Sequence, residues 1–181
     1  MQVLDDITKI QAPYAILVKG GGAAYWYIFH LTGREIPLKD IDLVLNNPSL
    51  NNSQIAQDFT DRLNELLPDY GFTLLYNEYN IPVKVASEQI DIDLFVNDEP
   101  TGKYVTIEGL NVPKISDLID RESQDIKNYS FEESFFLEEG NKEMADMFKE
   151  KVERKISRLA LFLRIKTLLQ TENPDIYRKL F

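Results

Sequence analysis

The chain of 181 residues contains no cysteine and a single histidine. Without cysteine there can be no disulfide bond, no thiol nucleophile and no zinc-thiolate site, and one histidine excludes a multi-histidine metal centre. The sequence also lacks a run of ~18 to 20 apolar residues that could cross a bilayer. Residues 1–6 carry no basic segment followed by an apolar one, as a secretory leader would. These absences predict a cytoplasmic protein without a membrane partner.

The formal net charge is −10, from 30 acidic and 20 basic residues. An acidic surface repels nucleic acid over roughly 10 Å at moderate salt, which predicts no broad DNA binding. The charge is segregated, because glutamates crowd residues 132–143 and basic residues follow them. That basic stretch is either a helical face that binds RNA locally or an ordinary solvated helix surface. Its members are Lys149, Lys151, Arg154, Lys155, Arg158, Arg164 and Lys166.

Hydrophobic residues make up 44% of the chain and charged residues 28%, the composition of a globular protein with a substantial core. Strand-like and helix-like segments alternate up to Pro113, which is typical of an α/β sheet. Beyond it the pattern becomes helical. We therefore predict a core over residues 1–112 and a helical C-terminal part over residues 113–181, packed on the core.

Individual elements follow from local patterns. The apolar run at 14–18 predicts a buried strand, the Ala-rich and aromatic stretch 22–31 predicts a helix, and 40–45 predicts the next strand. Ser53 is the expected N-cap of a helix ending at residue 67. The helical part is predicted as helices at 116–127 and from 144 onward, joined by a polar, acidic connection at 128–140. Further strands are predicted at 72–76, 83–86, 89–96 and 104–108.

Two short acidic runs, Asp-Ile-Asp at 40–42 and at 91–93, have the same alternating pattern. Successive side chains of a strand point to opposite faces, so Asp40 and Asp42 project together, as do Asp91 and Asp93. Clustered carboxylates are ligands for hard cations such as Mg²⁺. Either pair could equally lie on an exposed strand face.

A triple glycine follows the first predicted strand and opens the first predicted helix. Gly20, Gly21 and Gly22 leave backbone N–H groups accessible at a helix N-terminus, where phosphate binds favourably. The same glycines could merely form a tight turn. Together with the acidic pairs downstream, they predict a metal-dependent nucleotide site.

The order of these motifs resembles that of the DNA polymerase β-like nucleotidyltransferase superfamily. The matching segments are Leu17 to Ala24, Leu31 to Arg34 and Asp40 to Val44, and the resemblance covers roughly residues 14 to 96. Within the superfamily, the chain is similar to AbiEii-type toxin nucleotidyltransferases and to small antibiotic nucleotidyltransferases. The resemblance implies a mixed sheet flanked by helices.

The resemblance also implies a set of catalytic residues. Asp40 and Asp42 would bind two Mg²⁺ ions, or Mn²⁺, with one carboxylate bridging them. Asp93 would complete the metal beside the attacking hydroxyl and help remove its proton, with Asp91 as the alternative third carboxylate. Two metal ions can stabilise both ends of an in-line displacement at phosphorus.

Phosphate ligands are predicted from charge and position. Lys19 and Arg34 are candidates to neutralise the triphosphate of ATP or another NTP, together with the three glycines. Lys84 is a weaker candidate. Gly22 departs from the family pattern, which often has Ser or Thr there, so a hydroxyl contact to phosphate is missing.

The predicted activity is transfer of a nucleoside monophosphate from an NTP to a hydroxyl acceptor, with release of pyrophosphate. A toxin-like enzyme would modify RNA or protein and would have an antitoxin protein as a partner. An antibiotic nucleotidyltransferase would instead bind a cationic small molecule, which the acidic surface favours. A third hypothesis is a catalytically silent protein that binds a nucleotide or another protein.

Overall fold

The computed structural model describes residues 2–36, 38, 40–98 and 103–181. The chain divides into two compact units, Met1–Pro113 and Lys114–Phe181. We describe each unit by itself. Among the described residues, no helix is both long and apolar enough to span a membrane.

The strands that the described residues form make one mixed sheet in the first unit. Its order is β3-β4-β5-β2-β1-β7-β6. β2 is parallel to β5 and β1 is parallel to β7, whereas the other neighbours are antiparallel. The strands are β1 (Ala15–Lys19), β2 (Asp40–Asn46), β3 (Thr73–Tyr76), β4 (Pro82–Ala86), β5 (Asp91–Val96), β6 (Tyr104–Ile107) and β7 (Leu110–Pro113).

The side chains of β2 and β5 alternate between the two faces of the sheet, and this alternation decides which of them enter the core. Ile41, Leu43 and Leu45 of β2 have no solvent exposure, and Ile92 of β5 is equally buried. Because side chains alternate, the intervening aspartates of both strands project from the other face of the sheet. The buried isoleucines and leucines thus determine where the acidic residues point.

The described residues of the first unit form three α-helices: α1 (Gln2–Ile7), α2 (Gly20–Thr32) and α3 (Asn52–Leu66). Residues 22–28 of α2 are all buried, as expected of a helix that is apolar on every side. Two polar atoms inside α2 are satisfied by backbone carbonyls. Trp26 Nε1 donates to the carbonyl of Ile107 at 2.8 Å, and the Tyr27 hydroxyl donates to that of Pro113 at 2.8 Å. These bonds attach α2 to the β6–β7 hairpin.

The second unit consists of α4 (Ile115–Glu138), α5 (Lys142–Glu172) and α6 (Pro174–Leu180). α4 and α5 form a helical hairpin that turns at Gly140, whose φ of 73° lies in the left-handed region. The buried Glu122 of α4 forms ion pairs with Lys155 at 3.3 Å and with Arg158 at 3.4 Å, both on α5. These contacts, with apolar ones, hold the two helices together.

The predicted fold class is confirmed: a mixed sheet with flanking helices is followed by C-terminal helices. The packing of the helical part on the core stays a prediction. The polar connection predicted at 128–140 is wrong, since α4 continues to Glu138. Tyr129 and Phe136 give that segment an apolar side, and their rings lie 5.9 and 5.6 Å from the ring of Phe148.

Another error concerns the start of α3. The N-cap is Asn51 rather than Ser53, because the Asn51 side chain accepts hydrogen bonds from the backbone N–H groups of Ser53 and Gln54. Sequence patterns also did not predict α1, α6 or β7, which are all short.

The buried Tyr27 hydroxyl provides a test of how α2 is held. We expect Tyr27→Phe to lower the free energy of unfolding by about 1 to 2 kcal/mol, because the carbonyl of Pro113 loses its donor inside the core. Tyr79→Phe is the matched control, since Tyr79 is 75% exposed, and it should change stability little. Urea denaturation measures both. Equal effects of the two substitutions would contradict this account.

Candidate active site

Four charged residues form a row across one face of the sheet. Lys19 of β1 pairs in register with Asp42 of β2, Asp42 with Asp93 of β5, and Asp93 with Lys84 of β4. Residues opposite each other on neighbouring strands project from the same face. The row therefore reads Lys, Asp, Asp, Lys, with both carboxylates in the middle.

Two more carboxylates lie beside this row. Asp40 and Asp91 are also register partners, and each lies two residues before Asp42 or Asp93 in its strand. Asp40 is exposed, whereas Asp42, Asp91 and Asp93 are partly exposed. The register thus brings both acidic pairs together on one face, and all four carboxylates remain accessible from solvent.

Lys84 contacts the second acidic pair directly. Its Nζ lies 2.9 Å from Asp91 Oδ2 and 3.3 Å from Asp93 Oδ1. Hydrogen bonds to Asp91 and then to Asp93 raise the pKa of Lys84 above its ordinary value. The ammonium group is therefore charged throughout the neutral range and neutralises part of this acidic face.

Lys19 lies at the other end of the row. Its Nζ is 3.2 Å from the ring centroid of Phe95, a cation–π contact, and 4.0 Å from Asp98 Oδ2. The side chain is only 16% exposed. Lys19 also occupies the N-cap position of α2 without capping that helix through its side chain. Its assignment to phosphate stays a prediction.

The glycine turn lies directly against Asp42. Gly20 has a φ of +60°, and a Cβ atom there would be only 2.0 Å from Asp42 Oδ2. Since real Cβ atoms do not approach an oxygen so closely, only glycine fits while Asp42 keeps this position. Gly20 is also the first residue of α2, so the start of this helix and the Asp42 carboxylate are adjacent.

The other two glycines differ from Gly20. Gly22 is buried, and a Cβ there would lie 2.9 Å from Val18 Cγ1 and 3.5 Å from Ile41 Cγ2. Its lack of a side chain lets α2 pack closely on the sheet. Gly21 lies between the two at the start of the helix. Nucleotide binding by Gly20, Gly21 and Gly22 stays a prediction.

Arg34 lies apart from the glycine turn. It follows Gly33, the C-cap of α2, and is exposed. With a rise of 1.5 Å per residue, its backbone is separated from Gly20 by about 20 Å along the helix. Its predicted contact with phosphate therefore requires a ligand that extends towards the far end of α2.

The donor set decides which metal site the face can form. Mg²⁺ is commonly held by one or two carboxylates and completed by substrate phosphates and water. Asp40 and Asp42 suit one such ion. Within the described ranges, no three acidic, histidine or cysteine side chains are grouped so that they could hold a metal by themselves. Binding of two ions stays a prediction.

A cavity of about 330 Å³ lies on the other side of β2. Ile41 lines it and alternates with Asp40 and Asp42, so the cavity and the carboxylates are on opposite faces. The other described residues that line it are Val3, Leu4, Leu38, Tyr70, Gln89 and Ile90, none of which is ionisable at neutral pH.

In structure, the chain is similar to the polyadenylate synthase of Megavirus, with a TM-score of 0.46 and 14% sequence identity. The match covers 91% of this chain but 33% of that chain, so this chain spans a third of the length of that protein. No protein-family model and no curated protein sequence matches the chain. The interpretation of function therefore depends on the residues of the site.

Two glycines with similar backbone strain test the contact between Gly20 and Asp42. Gly33 has a φ of +67°, and a Cβ added there would meet nothing within 4 Å, so Gly33→Ala should cost only the strain of about 1 to 2 kcal/mol. Gly20→Ala carries the same strain and also displaces the Asp42 carboxylate. We expect it to reduce the free energy of unfolding by clearly more, as measured in urea. Equal costs would mean that Gly20 and Asp42 are not in close contact.

Proposed function

We propose that the chain is a metal-dependent nucleotidyltransferase, which moves a nucleoside monophosphate from an NTP to a hydroxyl acceptor. The observation that carries this proposal is the contact between the glycine turn and Asp42, with Asp93 in register beside it. A helix N-terminus attracts the phosphates, and the adjacent carboxylates attract the cation that accompanies them. Both halves of a Mg²⁺–triphosphate complex thus have a counterpart on this face.

In the proposed transfer, two bonds to phosphorus change. The acceptor oxygen attacks the α-phosphorus and forms a new P–O bond, while the bond from that phosphorus to the β-phosphate oxygen breaks. Pyrophosphate leaves with the electron pair of the broken bond. The proton of the acceptor hydroxyl passes to a carboxylate, and Asp93 has this role because it lies beside Asp42, with Asp91 as the alternative.

Asp40 and Asp42 would hold Mg²⁺, with phosphate oxygens completing its ligands. When bound, the ion supplies positive charge that stabilises the phosphoryl oxygens and the departing pyrophosphate. Gly20 and Gly21 orient the triphosphate through backbone N–H groups at the start of α2. Lys19, between the glycine turn and Phe95, adds positive charge to the same end of the sheet.

RNA, protein and a cationic small molecule are the alternative acceptors. Several of the basic residues that could favour RNA are engaged within the helical unit. Lys155 forms an ion pair with Asp125 at 2.6 Å, and Arg158 with Glu122. Lys151 lies 4.6 Å from the ring centroid of Phe148. These contacts reduce the basic charge that α5 offers to RNA. A cationic small molecule is therefore the second candidate acceptor.

Incubation with each α-³²P-labelled NTP and Mg²⁺ tests the function. Separate reactions contain total RNA, a protein extract, or an aminoglycoside mixture. Label should appear on one acceptor class together with pyrophosphate release, and a toxin-like enzyme would label RNA or protein. Absence of label and of pyrophosphate in every reaction would contradict the proposal and favour a silent nucleotide-binding protein.

Substitution of the carboxylates assigns the roles. Asp40→Asn and Asp42→Asn should each reduce turnover by at least ~100-fold, because each removes a charged ligand of the ion. Asp93→Asn should reduce kcat by ~100-fold or more while NTP binding persists, as expected for loss of a general base. Asp91→Asn should retain measurable turnover. Steady-state kinetics and calorimetric NTP binding measure the two effects separately.

Asp61→Asn, on the exposed side of α3, is the matched control and should behave like the unmodified chain. Melting temperatures should stay the same or rise in Asp40→Asn and Asp42→Asn, since each substitution removes one of several repelling charges. Near-normal turnover in Asp40→Asn or Asp42→Asn would overturn the metal assignment. An inactive Asp91→Asn beside an active Asp93→Asn would transfer the base to Asp91.

A further inference from the structure

The ammonium group of Lys84 is a cation that already lies beside Asp91 and Asp93. Its ammonium nitrogen lies between Asp91 Oδ2, at 2.9 Å, and Asp93 Oδ1, at 3.3 Å. The position is imposed by the sheet, because Lys84 and Asp93 are direct partners in the antiparallel pairing of β4 with β5. Both side chains must therefore project from the face that carries all four aspartates.

We propose that Lys84 is a positioning residue that holds Asp93 and provides the positive charge of a second divalent ion, so that the site takes one ion per nucleotide. This inference rests on the proposed function and specifies its metal requirement. Asp40 and Asp42 would bind the single ion, whereas the ammonium group of Lys84 pairs with Asp91 and Asp93.

The distances indicate that the Lys84 ammonium group and a second Mg²⁺ ion compete for Asp93. A Mg²⁺ ion binds oxygen at about 2.0 to 2.1 Å. An ion bound to Asp93 at that distance would lie within a few ångströms of the Lys84 nitrogen, and two positive charges at such a separation repel strongly. An ion on Asp93 Oδ1 would therefore have to displace the ammonium group, and an ion on the other oxygen would be repelled by it. As long as Lys84 keeps its ion pairs, a divalent ion binds more favourably on the Asp40 and Asp42 side of the face.

The balance of charge on this face also favours a single divalent ion. The four aspartates bring four negative charges to one face of β2 and β5. One divalent ion balances Asp40 and Asp42, and Lys84 balances one charge of the pair Asp91 and Asp93. With Lys19 at the other end of the row, one divalent ion and the two lysines already balance the four aspartates. Without Lys84, the second pair becomes a dicarboxylate site suited to a second ion.

A role confined to folding is less consistent with the exposure of these groups. The side chains of Lys84, Asp91 and Asp93 are 32%, 42% and 35% exposed. Ion pairs with that much solvent contact contribute little to stability. Removal of the Lys84 charge should therefore leave the chain folded, and a purely structural role would leave the number of bound ions unchanged.

The test counts Mn²⁺ ions bound per chain, by electron paramagnetic resonance, in the presence of α,β-methylene analogues of the four NTPs. The unmodified chain should bind one Mn²⁺ with its nucleotide. Lys84→Gln should bind two, with at least a ~10-fold gain in affinity at the added site, whereas Lys84→Arg should bind one. Lys9→Gln is the matched control, since Lys9 also forms an ion pair, with Asp6, away from this face.

Two ions in the unmodified chain would overturn the proposal, and so would a single ion in a folded Lys84→Gln. If Lys84→Gln does not fold, Lys84→Met, an uncharged side chain of similar length, replaces it: two ions support the proposal and one overturns it. Failure of the proposed function has a different signature. In that case the unmodified chain binds neither Mn²⁺ nor the nucleotide analogue, and no count arises.

Discussion

The register of the four strands β1, β2, β5 and β4 is the constraint on which the site depends. Ile41 and Leu43 of β2 and Ile92 of β5 must be buried, and each alternates with an aspartate. A shift of one residue would bring the aspartates into the core and the isoleucines into water, at a large cost in free energy. Hydrophobic burial on one face thus holds the carboxylates together on the other, despite their mutual repulsion.

Much of this arrangement is predictable from local sequence. The alternating pattern at 40–45 and 89–96 predicts strands with paired aspartates, and the triple glycine between a strand and a helix predicts the turn at the start of α2. Which strands are neighbours is not predictable in this way, because pairing of β2 with β5 joins residues about fifty positions apart. The contact of Gly20 with Asp42 depends on that tertiary arrangement.

The contact between Lys84 and the second acidic pair is only partly predictable. Strands at 83–86 and 89–96 separated by a short turn are typical of a hairpin, which brings Lys84 close to the strand that carries Asp91 and Asp93. What local patterns cannot decide is the register, which here is set by the turn from Ser87 to Ile90. The error at 128–140 has a related origin, because the polarity of that segment conceals the aromatic side chains that pack on α5.

The central claim is that nucleotide and metal bind together at the glycine turn and the carboxylate row. Paramagnetic broadening of backbone amide signals by Mn²⁺ and a non-hydrolysable NTP, with Mg²⁺ as the diamagnetic reference, tests it most directly. The account predicts the strongest broadening at Gly20 and Asp42, and weak effects at Thr8 and Gly109, which are close to each other and near the start of β1. Strongest broadening anywhere else, or equal broadening throughout, would contradict it.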